Sequence, residues 1–204
     1  YVMRADVSFE LLNDQHLAFH DKRANGADGL KGSSEPFSLQ NLLDVSTIDA
    51  VTTDEAGKTA AFHALCIELG LPLISAPLSE ALIPQSVNLD LVGGVSFKKG
   101  CYPGQEIVAR VRYRGKPKQR MIRAVAEHTQ LPEPGTALKC TPTKSGRDGV
   151  VICAAVDQTC DEIQLLAAVP TEAITPLQSG GLFWEDVPLT VSPLPYPIPA
   201  EDLD

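Results

Sequence analysis

The sequence has 204 residues, 44% of them hydrophobic, which is enough to bury one large core or two small ones. Its formal net charge of -9 argues against a protein that wraps extended nucleic acid. The five cysteines form no CxxC pair and have no histidine at ligand spacing, so we predict neither a disulfide framework nor a metal site, and expect a reducing compartment.

The first 70 residues predict a β-hairpin, a loop and a helix. Apolar residues alternate in a strand-like way within residues 2–12, and residues 17–19 can pair with them. Residues 21–36 are typical of a polar surface loop. A helix is predicted from a cap at Thr53 or Asp54 to Gly70, with Cys66 on its apolar face.

Residues 94–123, which we call the basic stretch, differ in charge from everything around them. They contain nine of the 17 Lys and Arg residues and one of the 26 acids, Glu106, so they carry +8 and the rest of the chain -17. A basic patch on an acidic body fits an anionic small ligand that docks at one site. For Arg112 to Arg120, a solvated face that binds nothing is the competing interpretation.

Cys101 lies near the head of the basic stretch, and two features lower the pKa expected for its thiol. Two lysines precede it closely, and Pro103 with Glu106 predicts a short helix that starts just after it and runs to about Val111. Cations and unpaired helix N–H groups both stabilise a thiolate. A buried structural cysteine is the alternative, and the residue pattern alone does not separate the two.

The motif around Cys101 strongly resembles the KGCYxGQE signature of the YgfZ family of bacterial folate-binding proteins, which support iron-sulfur enzymes and tRNA modification. All seven defined positions are filled, by Lys99, Gly100, Cys101, Tyr102, Gly104, Gln105 and Glu106. Further similar features are Ile83-Pro84-Gln85, Asn88-Leu89, Gly93-Gly94 and Pro193-Leu194-Pro195-Tyr196. The related T-proteins of glycine cleavage resemble KGDFxGRE here, so Cys101 replaces an acid.

The resemblance implies an α+β fold with two parts. A T-protein-like folate-binding body is expected over residues 1–115, and a small antiparallel β-barrel with a proline-rich tail over residues 116–204. Family members are longer, so we expect that the N-terminal part of the body is missing from this chain. In the T-proteins the catalytic acid lies in that missing part.

The residue pattern after Gly115 agrees with a barrel, because short apolar or alternating runs are separated by turn residues. The predicted strands are 121–126, 137–140, 149–156, 163–169 and 187–191. Cys140, Cys153 and Cys160 fall in or beside these strands, where core packing is favoured over a three-thiol cluster site. The tail after Pro188 is expected to form an extended strap on the protein's own surface.

The resemblance implies a folate-binding factor that supports assembly or maintenance of iron-sulfur enzymes, including those that modify tRNA. Whether it is itself an enzyme stays open, and a non-enzymatic factor is favoured over a tetrahydrofolate-dependent one-carbon transferase. Its cofactor is then tetrahydrofolate or a derivative, and Cys101 is the functional thiol. The residues expected to bind the cofactor are Lys99, Tyr102, Gln105, Glu106, Arg110, Gln85 and Asn88. One alternative is a folate-dependent aminomethyltransferase or other one-carbon transfer enzyme. Another is a binding module in which Cys101 is structural and the basic patch recognises an anionic partner.

The partners expected from this resemblance are folate and iron-sulfur client proteins. The acidic remainder of the chain favours protein contacts over direct contact with tRNA, for which the basic stretch still leaves room. No apolar run approaches the roughly 18 residues of a membrane span, so no membrane contact is expected. We expect a cytoplasmic protein, or a mitochondrial matrix protein in a eukaryote.

Overall fold

The computed structural model describes residues 7–13, 16–21, 55–100, 102–127, 130–157 and 162–203. The chain divides into two compact units, Tyr1–Ala61 and Phe62–Asp204. The boundary predicted between residues 115 and 116 and the T-protein-like character of the first part stay predictions. The α+β class and the C-terminal barrel are confirmed.

The described part of the first unit contains a β-hairpin. Strand β1 (Val7–Asn13) pairs antiparallel with β2 (His16–Asp21), and the register places Phe9 opposite Phe19. The predicted strand pair is therefore confirmed, with a longer second strand than the sequence indicated. The loop predicted for residues 21–36 lies outside the described residues except for Asp21, which ends β2.

Helix α1 (Glu55–Glu68) ends two residues before Gly70, which the sequence predicted as its C-terminal stop. Gly70 has a φ of +63°, in the left-handed region that glycine adopts at low cost. Its N–H donates to the Ile67 carbonyl at 3.1 Å, and the Leu71 N–H donates to the Cys66 carbonyl at 2.8 Å. This pair of bonds is a Schellman motif, which satisfies the last carbonyls of the helix. The predicted caps, Thr53 and Asp54, lie outside the described residues.

Six strands of the second unit form a closed antiparallel barrel in the order β3-β6-β5-β4-β7-β8. Their bounds are β3 Gln119–Ala126, β4 Ala137–Cys140, β5 Gly149–Asp157, β6 Glu162–Pro170, β7 Leu182–Trp184 and β8 Val187–Ser192. The five predicted strands are confirmed within two residues at each end. The sequence did not predict β7, nor the short helix α3 (Thr171–Leu177) that packs its apolar side against the barrel core.

Strand β6 is buried on both faces, and this explains its nearly unbroken apolar sequence. Leu165 and Ala167 belong to the core cluster that includes the barrel strands and α3. Leu166 and Ala168 belong to a second cluster with Ile67 of α1. The barrel wall is therefore covered from outside by residues 64–89 of the same unit, including the 3₁₀ helices Ala76–Leu78 and Pro84–Val87.

Three of the five cysteines are buried free thiols, as predicted for core packing. Burial raises the pKa of Cys66 to about 12 and those of Cys140 and Cys153 to about 11. Cys160 lies outside the described residues. Within the described ranges, no three or more His, Cys, Asp or Glu side chains are grouped so that they could hold a metal ion.

The proline-rich tail packs back on the second unit, as predicted. Tyr196 is buried, and its hydroxyl donates to the Gly70 carbonyl at 2.6 Å. The chain then forms a last 3₁₀ helix, Ala200–Asp202, whose Asp202 is also buried. Among the described helices, none is long and apolar enough to cross a membrane.

Candidate functional site

Helix α2 (Gln105–Arg114) begins two residues later than the sequence predicted and ends three residues later. Pro103 is not its first residue. Gly104, at φ 82° and ψ 0°, occupies the third position of a type II turn with Pro103 at the second. The Gln105 N–H closes this turn on the Tyr102 carbonyl at 3.3 Å. The glycine of the motif is therefore needed for the turn that starts the helix.

Helix α2 lies on the protein surface and buries only Val108. Its carbonyl at Val108 accepts a hydrogen bond of 2.8 Å from Nε2 of Gln85, a side chain that is 2% exposed. The other amide atom of Gln85, Oε1, is buried and has no hydrogen-bond partner among the residues that the structure describes. Gln85 therefore fixes α2 from the inside and keeps one free acceptor.

Arg120 belongs to a buried ion cluster, so the competing interpretation of Arg112 to Arg120 as a solvated basic face does not hold for this residue. Its guanidinium binds the carboxylate of Asp90 at 2.6 and 3.0 Å and Oδ2 of Asp202 at 2.6 and 3.0 Å. It also donates to the Gln85 carbonyl at 2.9 Å. Burial alone would lower the pKa of Arg120, but the hydrogen bonds to the two carboxylates outweigh it and raise the pKa.

Asn88 is fully buried and joins residues 84–90 to the barrel. Its Nδ2 donates to the Met121 carbonyl at 2.8 Å, and the Met121 N–H donates to its Oδ1 at 3.2 Å. Strand β8 pairs with β3 only from Arg123 to Val125. The amide of Asn88 therefore satisfies the backbone of β3 beyond the reach of β8. We call residues 84–90, which hold these contacts, the clamp segment.

Seven cations of the basic stretch are exposed, and we call them the basic surface. They are Lys98, Lys99, Arg110, Arg112, Arg114, Lys116 and Lys118. The ninth cation, Arg123, is half-buried and donates to Oε1 of Gln164 at 2.9 Å. Within the described residues, no carboxylate forms an ion pair with any member of the basic surface. These charges are therefore available to an anion.

Aromatic rings lie among the cations of the basic surface. The ammonium of Lys99 is 4.6 Å from the ring centroid of Tyr102, and the guanidinium of Arg112 is 5.4 Å from that of Phe97. Phe97 also contacts Tyr113 edge to face, with the ring centroids 6.2 Å apart. Each cation lies within cation–π range of its ring. The surface can therefore present planar groups and positive charge together.

An open trough of about 700 Å³ runs along the exposed side of α2. The described residues that line it are Glu106, Ala109, Arg110, Tyr113 and Arg114. Their spacing places them on one helix face. The sequence did not single out Tyr113 for a site, because an aromatic residue between two arginines gives no sign of its exposure.

The structure brings some of the predicted site residues together and separates others. Glu106 and Arg110 share the trough, while Lys99 and Tyr102 form their own contact before the helix. Gln105 is the half-buried first residue of α2. Two predicted residues, Gln85 and Asn88, are buried in the clamp segment, and Cys101, the predicted functional thiol, lies outside the described residues. The predicted ligand contacts of all these residues stay predictions.

Comparison with known proteins identifies relatives that cover most of the chain. No family model matches it. The tRNA-modifying protein YgfZ of Cronobacter sakazakii is 38% identical over 143 residues, which are 68% of this chain and 42% of that protein. The protein of the same name from an Enterobacter species (strain 638) is 36% identical over 162 residues, 76% of this chain and 49% of its own length. This chain thus spans less than half the length of the curated relatives it matches, and over the shared region it belongs to the YgfZ family.

Proposed function

We propose that this protein is a folate-binding factor that supports the assembly or maintenance of iron-sulfur enzymes, including those that modify tRNA, with Cys101 as its functional thiol. The observation that carries the proposal is the complete KGCYPGQE motif at the start of a surface helix lined with exposed cations. The names of the relatives, tRNA-modifying proteins, support the link to tRNA modification.

The trough beside α2 has the chemistry that a reduced folate requires. A folate joins a flat pterin, which carries N–H donors, to an anionic glutamate. Arg110 can bind a glutamate carboxylate through charge-assisted hydrogen bonds, and Glu106 can accept from pterin N–H groups. Lys99 and Tyr102 provide a second cation with a ring. The trough is open to solvent, so we expect affinity to depend on the cations more than on enclosure.

The clamp segment holds this trough in place. Gln85 bonds the backbone of α2, and its unpaired Oε1 is a further acceptor beside the helix. Its carbonyl is in turn fixed by the buried Arg120. A binding helix supported by buried hydrogen bonds loses little conformational entropy when a ligand binds.

The thiol assignment rests on the neighbours of Cys101 in the sequence and on the state of the other cysteines. Cys101 lies four residues before α2, whose N-terminus has no side-chain cap, and directly after two exposed residues, Lys99 and Gly100. Both the helix N–H groups and the lysine favour a thiolate. The three buried cysteines have pKa values of about 11 to 12 and are protonated at neutral pH. Cys101 is therefore a better candidate for thiol chemistry than these three.

Calorimetric titration with tetrahydrofolate tests the ligand. Arg110→Ala should weaken binding about tenfold or more, since a charge-assisted hydrogen bond contributes about 1.5–3 kcal/mol. Arg147 is an exposed arginine in the loop between β4 and β5, so Arg147→Ala is the matched control and should bind normally. If Arg110→Ala and Arg147→Ala bind tetrahydrofolate equally well, the folate site does not lie on α2. If the parent protein shows no saturable binding, the proposal that folate is its ligand is wrong.

A cellular test addresses the thiol. Cys101→Ala in the longer parent protein should reduce methylthiolated tRNA and the activity of another iron-sulfur enzyme while protein abundance and folate binding hold. Cys66→Ala is the matched control, because that thiol is buried in the core. If both readouts stay at the parent level in the Cys101 variant, Cys101 is not a functional thiol.

A further inference from the structure

A cation and two aromatic rings, from Arg112, Phe97 and Tyr113, lie together on the basic surface, and of these three residues Tyr113 alone also lines the trough proposed for folate. Arg112 lies over the ring of Phe97, and the edge-to-face contact with Tyr113 completes the set. Tyr113 remains 69% exposed, the largest exposed fraction among the large apolar side chains that the structure describes. The contact with Phe97 therefore leaves most of the Tyr113 ring open to a second planar group.

Cations surround this open ring. Successive residues of a helix are about 100° apart, so Arg112 and Arg114 project on either side of Tyr113. Arg114 and Arg110 also line the trough that Tyr113 borders. Lys116 and Lys118 continue the basic surface beyond the end of α2, and both are exposed. An occupant of this site must therefore offer flat rings and closely spaced negative charges.

We propose that this face binds a short segment of single-stranded nucleic acid, with a base stacked on Tyr113 and phosphates held by Arg112, Arg114, Lys116 and Lys118. Exposed aromatic rings that stack bases, set in a basic groove, are how proteins bind single strands without sequence preference. An acidic peptide could match the charge, but it would leave the Tyr113 ring without a planar partner. The binding goes beyond the proposed function and requires neither folate nor Cys101.

The dimensions limit the segment to a few nucleotides. Helix α2 has ten residues, so it is about 15 Å long. The net charge of -9 for the whole chain also disfavours a long polyanion wrapped around the protein. We therefore expect contact with a loop or a strand end, and an affinity that falls steeply with salt.

Fluorescence anisotropy of the 204-residue chain with a labelled 12-nucleotide RNA of mixed sequence, in about 50 mM salt, tests the proposal. Tyr113→Ala should weaken binding about tenfold through the lost base stacking, and Tyr113→Phe should bind within twofold of the parent. Leu131→Ala, another exposed apolar side chain, is the control for truncation and should change nothing. Thermal melting should show that the variants are folded, because the altered side chains are exposed.

Salt dependence and a second oligonucleotide complete the test. The double variant Arg112→Ala/Arg114→Ala should reduce the slope of log affinity against log salt by about 0.7 for each phosphate that the variant no longer neutralises. A DNA of the same sequence distinguishes RNA recognition from general single-strand binding, and either result supports the proposal. No saturable binding of either oligonucleotide would overturn it. Binding that Tyr113→Ala leaves unchanged, and that polyglutamate reproduces, would assign the face to an acidic protein partner and also overturn it.

Discussion

Replacing Asn88 with alanine should destabilise the second unit by about 4 kcal/mol in total, mainly because the Asn88 amide bonds two backbone groups of Met121 that have no other partner among the described residues outside the barrel pairing. Each buried backbone group left without a hydrogen bond costs about 1–3 kcal/mol. Asn88 also has a φ of +59°, and an alanine in the left-handed region costs about 1 kcal/mol more. Asn88→Gly should therefore lose about 3 kcal/mol, since it removes the bonds without the backbone penalty.

Unfolding in urea, followed by the fluorescence of Trp184, measures this effect. Trp184 is the single tryptophan of the chain and is buried in β7, so it reports on the barrel. Ser96→Ala, an exposed position shortly after the clamp segment, is the matched control and should lie within about 0.5 kcal/mol of the parent. A loss near 4 kcal/mol is a large share of the 5–15 kcal/mol typical of a domain, so the transition should move visibly.

The result also decides between two roles for Asn88. If Asn88→Ala unfolds within 1 kcal/mol of the parent, the hydrogen bonds to Met121 do not stabilise the barrel and the argument from burial fails. If that variant is also unable to bind tetrahydrofolate, Asn88 is a ligand residue, as the family resemblance predicted. A large loss of stability with folate affinity unchanged in the folded fraction would assign Asn88 to the structure alone.

Three further effects follow from the contacts of the second unit. Asp202→Asn should destabilise it by about 3 kcal/mol in urea unfolding, because it removes one charge partner of the buried Arg120; a change below 1 kcal/mol would show that Asp90 alone satisfies the cation. Gly70→Ala should lower the melting temperature more than Gly93→Ala, as both glycines have positive φ but only at Gly70 would a new Cβ lie 2.8 Å from the Tyr196 ring. The pKa of Cys153 is raised from 9.0 to about 11, so unfolding releases a proton between these pH values and the free energy of unfolding falls as pH rises. Cys153→Ala should make that fall shallower by up to about 1.4 kcal/mol per pH unit, and an unchanged slope would contradict the burial argument.

The barrel could be predicted because its strands carry their own signals. Five strands show runs of apolar or alternating residues bounded by turn residues, and these runs bury one or both faces in the structure. Strand β7 has only three residues, too few to show a period. Helix α3 contains Pro176 and follows β6 directly, so no capping or turn residue in the sequence marks where it begins.

The site could be predicted only in part, because its signals are of two kinds. The KGCYPGQE motif and the charge of the basic stretch are local, and the sequence located both. The burial of Arg120 depends on Asp90 and Asp202, which are 30 and 82 residues away in the chain. An arginine that pairs with such distant acids looks the same in the sequence as one on a solvated face. The start of α2 was misplaced for a related reason, because Pro103 suits a type II turn as well as a first helical position.

The contacts of the clamp segment link the surface helix to the far end of the chain. Gln85 bonds α2, Asn88 bonds β3, and Asp90 shares Arg120 with Asp202 of the tail. The position of α2 therefore depends on buried residues that lie outside the helix. Loss of the tail contact should let the Arg120 guanidinium move, because Asp90 alone would then hold it. Its bond to the Gln85 carbonyl should weaken, and with it the hydrogen bond from Gln85 to α2. We accordingly expect Asp202→Asn to weaken ligand binding on α2 modestly as well as stability, whereas the exposed neighbour Glu201→Gln should alter neither.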